Sequence, residues 1–367
     1  MILSYKLATT NDQLTSRAGL LTIGQLMESM QLAERVDKYF PGPKSNRGFS
    51  PSVYIQTLVL MQHQGYFHLD EVRHLSEDTA LTDVLGLTTV PSASTLGAWL
   101  RKMDHSNEAI VAWETVNKSV LQAALHRRKE VALDIDAAGY QARIIQYCDE
   151  QQIDYAIRAK MSSSIRQHLS ELSEVDWQPL IKRNGEPSEY QSTHRMVHCI
   201  GDYDRAFDVV IQRHPIRQSV LDLDEDTDSQ AHCAEGFIYR AIATNRSALC
   251  DSEIIHWYNQ RAEDSENRIK ELKLDFGGDT LPCSDLNANA LYFRIAALSY
   301  NLFALMRQLL PEDLASHRVT TIRWRLCGMS AKLVRRARKV WLKLQQTNKN
   351  LLEQVLAALR RFDPPPI

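Results

Sequence analysis

The sequence predicts a mixed α/β protein, an α/β centre flanked by helical N- and C-terminal regions. Three observations predict it. Apolar residues recur at three- and four-residue steps through most of residues 1–128. At Glu130 the texture changes to VALDID, an apolar, β-branched run, followed by the helix-like ARIIQYCDEQQ and a second strand-like run, DYAIRAK. After residue 285 long apolar-periodic stretches return.

In chain order, LLTIGQLMESMQLAERVDKYF reads as helix and PGPKSNRGFSP as a turn. Pro51-Ser52 then opens a second helix through VYIQTLVLMQHQG, with Pro where a first helical position tolerates it. Shorter helices are expected at 69–75 and 80–85, and PSASTLGAWLRKM ends on Arg101-Lys102. Short helices with a terminal basic pair fit a helix-turn-helix DNA reader, or equally a bundle that scaffolds and dimerises. The strand–helix–strand unit that follows belongs to an α/β sheet. HRMVHCIG, FDVVIQRH and YRAIATN add strands within a β-rich stretch at about 161–245. A charged helix is expected at 252–276, and further helices at 285–310, 317–344 and 347–361. The expected domains are therefore 1–128, helical and DNA-binding or dimerising; 129–284, the α/β core with its β-rich insertion; and 285–367, helical and basic.

Composition, 44% hydrophobic and 24% charged, is that of a soluble globular protein. The net charge of -2 hides an asymmetry, because 314–350 contains no acidic residue while Arg318, Arg323, Arg325, Lys332, Arg335, Arg336, Arg338, Lys339, Lys343 and Lys349 accumulate there. One-signed blocks on a near-neutral chain point to a polyanionic partner. As a helix, RRARKVWLKL would let its charges follow a phosphate backbone, with Trp324 and Trp341 anchoring it. The six cysteines are scattered without a CxxC pair and read as reduced thiols. The most apolar stretch, 290–310, is interrupted by Arg294, Asn301 and Arg307 and reads as a buried helix, with no membrane span expected. Residues 1–20 lack a signal-peptide pattern, so a cytoplasmic protein is expected.

Two segments could carry chemistry. Strand alternation puts Asp134 and Asp136 on one face of VALDID. The segment 258–276, YNQRAEDSENRIKELKLDF, is dense in charge, lacks Gly and Pro, and is closed by Gly277-Gly278. At helical spacing Tyr258 and Arg261 share a face, as do Glu266 and Lys273. The helix is either a solvated surface with Glu–Lys pairs or the support of a carboxylate facing a strand aspartate. Phosphodiester cleavage needs a polarised phosphoryl oxygen and an activated nucleophile, which Mg²⁺ supplies when held by hard oxygen ligands. Asp136 and Glu266 are the candidate metal ligands.

The run YNQR…SENRIKELK, with LDIDA upstream and ANALYFRIAALSYNLFALMRQLLP and TTIRWRLCGMSAKLVRRARKVWLKL downstream, resembles the DDE transposases of bacterial insertion sequences. More narrowly it is similar to the thirteen-eighty branch of the group carrying the Tyr-Arg-Glu-Lys signature. The opening, LTSRAGLLTIGQLMESMQLAERVDKYFPGPKSNRGFSPSVYIQTLVLM, shares that likeness, which therefore runs through nearly the whole chain. The resemblance implies an RNase H-like catalytic core, Mg²⁺-dependent DNA strand cleavage and strand transfer, binding to terminal inverted repeats and target DNA, and a homodimer. Glu266 would be the third catalytic carboxylate. Tyr258, Arg261 and Lys273 would be the signature residues beside it, and Arg335, Arg336, Arg338 and Lys339 would add DNA contacts.

The chain departs from the family pattern twice. Four residues, AEDS, separate Arg261 from Glu266 where the signature has three, which turns Glu266 about 100° further round the helix. In addition, LDID runs straight into AAGYQARIIQYC, whereas the family has several tens of residues between its two aspartate segments. Asp136 aligns with the first aspartate through LDIDA or with the second through DAAGYQ. The core is thus expected to be incomplete, lacking the strands between the two aspartates, with Asp134 the remaining candidate for the vacant role. A catalytically impaired transposase is expected; the alternative is a non-catalytic DNA-binding or dimerising remnant that interferes with an intact relative.

Overall fold

The computed structural model describes residues 7–43, 48–104, 107–126, 132–135, 137–201, 203–216, 232–234, 236–337 and 339–362. The chain divides into two compact units, one of residues 1–127 together with 268–367, the other of residues 128–267. The strands are β1 (Gln13–Thr15), β2 (Ala132–Ile135), β3 (Asp154–Ala159), β4 (Gln178–Ile181), β5 (Pro187–Ile200), β6 (Tyr203–Pro215), β7 (His232–Ala234), β8 (Phe237–Thr244), β9 (Ala331–Arg336) and β10 (Lys339–Lys343).

The first unit is a helical assembly around Leu286–Arg307. Asp285 caps that helix by accepting from the amides of Asn287 and Ala288, relieving two of its unpaired N–H groups. Leu291, Ile295, Leu298, Leu302 and Met306 are buried in one apolar core with residues of Leu21–Ser29, Pro51–Gln64, Ala93–Asp104 and Asn107–His126. Tyr54 and Trp99 stack at 4.7 Å within it. Two polar pairs lie in this unit: Ser299 Oγ donates to Gln62 Oε1 at 2.6 Å, and Asn301 Nδ2 to Asn117 Oδ1 at 2.8 Å.

The expected wholly helical termini require correction. Residues 317–344 form two short helical segments, Val319–Ile322 and a π-helical Arg323–Cys327, and then the hairpin β9–β10. β1, in the region expected to be all helix, pairs antiparallel with β9 and completes a three-stranded sheet in the order β1-β9-β10. The physical reason is burial. Ala331 and Leu333 lie two residues apart and are both buried, and cross-strand Leu342 packs on the same core, a period-two pattern that outweighs the helix propensity of Arg, Lys, Ala and Leu.

The second unit is built on a seven-stranded sheet in the order β2-β3-β8-β6-β5-β4, with β7 beside β8. β2 and β3 run parallel and are joined through the helix Ala142–Glu150, as the strand–helix–strand pattern predicts. All other pairings are antiparallel. Tyr155, Ile157 and Ala159 of β3 face one apolar cluster with Ile145 and Ile165, while Ala156 joins a second with Val210, Ile242, Ile254 and Ile255. Both faces of the sheet are therefore covered by helices. Among the described residues β2 has a partner on one side only, β3, and so forms the edge of the sheet.

Candidate functional site

The charged segment is helical as predicted. Asp251–Lys270 is an α-helix, continued by one π-helical turn, Glu271–Asp275. Gly277 ends it at φ 70°, a left-handed conformation, and the Gly278 amide donates back to Leu272 O at 3.0 Å. A Cβ on Gly277 would lie 2.8 Å from the Phe67 ring, so the glycine is required twice over.

The start of this helix is fixed to the sheet. Arg195 on β5 pairs with Asp251 at 2.7 Å and with Asp208 of β6 at 3.1 Å, and also donates to the carbonyls of Ser247 and Leu249. Ser252 Oγ accepts from the Ile181 amide at 2.8 Å, and His256 Nε2 donates to Ile181 O at 2.7 Å. An aspartate in the first turn also suits the helix dipole. Neither Arg195 nor Asp208 carries a signal in the sequence, since the clamp joins residues of three separate segments.

Ile254 and Ile255 pack the helix against the Ala156 face of the sheet, and Tyr258 is partly buried against the same cluster. Backbone register pairs Asp134 with Ala156. Arg261 and Glu266 lie within the helix Asp251–Lys270, and their side chains fall outside the described ones, as does that of Asp134. Asp136 and Arg338 lie outside the described residues. In the second unit the helix that carries Glu266 packs, through Ile254 and Ile255, on a face of the sheet whose edge strand among the described residues is β2. Asp and Glu are the hard oxygen donors a divalent cation takes. Among the described residues no three His, Cys, Asp or Glu side chains converge as such an ion requires.

In the first unit, Lys273 is exposed on the π-helical turn. Just before it, Glu271 accepts from Arg307 Nη2 at 3.0 Å, from Tyr300 Oη at 2.9 Å and from Arg268 Nη1 at 3.2 Å. The described cations of 314–350 differ in their surroundings. Arg323 is built into the fold, donating to His63 O and Asp275 O and facing the Phe276 ring at 5.5 Å. Arg325, Lys332, Arg335 and Lys349 pair with Asp313, Asp12, Asp83 and Glu353. Charge balance for the acid-free run is therefore supplied partly from other segments. Arg336, Lys339 and Lys343 are exposed on β9 and β10. The expected anchoring by tryptophan is corrected, since Trp324 and Trp341 are 76% and 55% exposed.

A seven-stranded sheet with helices on both faces makes the second unit a mixed α/β unit. Residues 127–364 match the family described as transposase DDE domain group 1. The match covers more than half of the chain, and the protein belongs to that transposase family. No curated protein matches it. Among the described residues no helix is long and apolar enough to cross a membrane.

Proposed function

We propose that this chain is a DNA transposase of a bacterial insertion sequence, of the Tyr-Arg-Glu-Lys signature group, with an RNase H-like core that has lost one aspartate-bearing strand. It binds terminal inverted repeats and target DNA, acts as a homodimer, and is catalytically impaired. Asp134, Asp136 and Glu266 form its acidic set, of which Asp136 and Glu266 would hold Mg²⁺. The metal, when bound, supplies a polarised phosphoryl oxygen and an acidified nucleophile. Tyr258, Arg261, Lys273, Arg335, Arg336, Arg338 and Lys339 are its DNA-contacting residues, with Arg335 also tied to Asp83.

The observation that carries this reading is the position of β2. Among the described residues the LDID strand pairs on one side only, and it runs parallel to β3 through Ala142–Glu150. A strand that ends the sheet leaves its outer N–H and C=O groups without the neighbour that a second aspartate strand would provide. This supports aligning Asp136 with the second aspartate of the family and counting the first as missing. Calorimetric titration of Mg²⁺ into the protein–DNA complex tests it. The expected result is one saturable site that Asp136→Asn abolishes; a second saturable site, as a complete two-metal centre would give, would sink the proposed impairment.

The second reading, a non-catalytic DNA-binding or dimerising remnant, is favoured by the first unit, whose core is continuous from Ala18 to Phe362. Such a chain would retain partner and DNA contacts without cleavage. Co-expression with an intact relative should then lower transposition frequency, and an unchanged frequency would argue against it.

A further inference from the structure

The outward side of the β9–β10 hairpin gathers cations round an exposed tryptophan. Lys332, Val334 and Arg336 alternate along one side of β9 and register with Lys343, Trp341 and Lys339 of β10. The opposite side is the inner one. It carries buried Ala331 and Leu333, core-packed Leu342, and Arg335, which pairs with Asp83. Register therefore sorts the cations, placing Arg335, 61% exposed and tied to Asp83, on the side of Leu333, and Lys332, Arg336, Lys339 and Lys343 on the other.

Three features identify the partner of this face. Among the described residues a single carboxylate meets it, Asp12 at 2.7 Å from Lys332, and no acidic group pairs with Arg336, Lys339 or Lys343. A second copy presenting the same face would be repelled by it, whereas a polyanion is complementary. Pairing with β1 stops at Leu333, so the hairpin beyond that residue is a two-stranded ribbon. A ribbon of that width fits the major groove of duplex DNA, about 12 Å across, and the outer side from 332 to 336 spans roughly 13 Å.

Resting on the transposase reading above, the geometry points to a duplex-DNA contact site on this ribbon. Arg336, Lys339 and Lys343 neutralise phosphates on the groove walls, and Trp341, with Val334 beside it, lies against sugar and base edges between them. Trp341 is thus a DNA-contacting residue rather than a structural anchor. The division of labour is physical: the cations set affinity and its salt dependence, while the indole adds apolar contact that salt does not screen.

The test measures binding of the full chain to a labelled duplex by fluorescence anisotropy across a salt series, with thermal melting to check folding. For the triple variant Arg336→Ala, Lys339→Ala, Lys343→Ala, the slope of log K against log salt should fall by about three, with affinity weakened tenfold or more. Trp341→Ala should weaken binding about tenfold and leave the slope unchanged. A control on exposed residues of the other unit, Lys182→Ala with Arg183→Ala, should change neither. If the wild type binds duplex DNA and both ribbon variants bind equally well, the ribbon assignment falls while the transposase reading stands. Equal displacement by single-stranded RNA or an acidic protein would overturn the duplex as occupant. A wild type that binds no duplex DNA at any salt overturns both.

Discussion

Glu271 and Arg307 form a 3.0 Å ion pair, each side chain 16% exposed, immediately beyond the helix that carries Glu266. The pair joins the π-helical turn to the central helix Leu286–Arg307. Burial alone would push the Glu271 carboxyl up. The Arg307 guanidinium and the Tyr300 hydroxyl outweigh burial and hold it below the usual glutamate range.

Arg307→Met should therefore destabilise the first unit by about 2 kcal/mol at neutral pH, somewhat less than a fully buried pair because of residual exposure. The pair's contribution is complete above the unfolded carboxylate pKa and is lost as pH falls through the depressed folded value. Urea unfolding of wild type and variant at pH 7 and at pH 3 checks the sign. Their difference should shrink in acid, and a difference that grew would refute the assignment.

His63 gives a second pH dependence, of opposite origin. Its ring is fully buried; Nδ1 lies 2.8 Å from Val59 O, and the ring stands edge-on to Phe276. Burial lowers its pKa, the Val59 carbonyl opposes this and the Arg323 charge lowers it further, leaving it at about 4. The folded state thus keeps His63 neutral while the unfolded chain protonates it below its ordinary value near 6.5. Stability should fall by about 1.4 kcal/mol per pH unit between those two values. His63→Leu should flatten this slope, and a variant with the wild-type slope would show that another group titrates.

Ala337 turns the corner of the β9–β10 hairpin at φ 51°, a conformation that L-residues with a Cβ adopt with strain. Ala337→Gly should remove that strain and stabilise the protein by roughly 0.5–1 kcal/mol, after the entropy that glycine gains in the unfolded chain. Thermal melting measures it. A fall in melting temperature would mean the alanine methyl makes a contact worth more than the strain.

Much of the second unit could be read from the sequence. VALDID, ARIIQYCDEQQ and DYAIRAK became β2, the helix Ala142–Glu150 and β3, because each is short, uniform in pattern and paired with its sequence neighbour. The helix of 258–276 was equally legible, since propensity and its glycine stop agree. The β9–β10 hairpin was not. Its turn carries Ala337 where Gly or Asn would signal a hairpin, and RRARKVWLKL has strong helix formers at most positions. The burial that decides the strand depends on partners far along the chain, among them Gln13–Thr15, more than 300 residues earlier. The clamp of Arg195 on Asp251 and Asp208 was hidden for the same reason.

The central claim, a transposase core short of one aspartate strand, is tested most directly by cleavage. The full chain is incubated with Mg²⁺ and duplexes carrying the element's terminal repeats, beside Glu266→Ala, and nicked product is quantified. The account predicts retention of the repeats with no cleavage above the Glu266→Ala background. Metal-dependent nicking that Glu266→Ala abolishes would contradict it and show that the strand of Asp134 and Asp136 completes a working site.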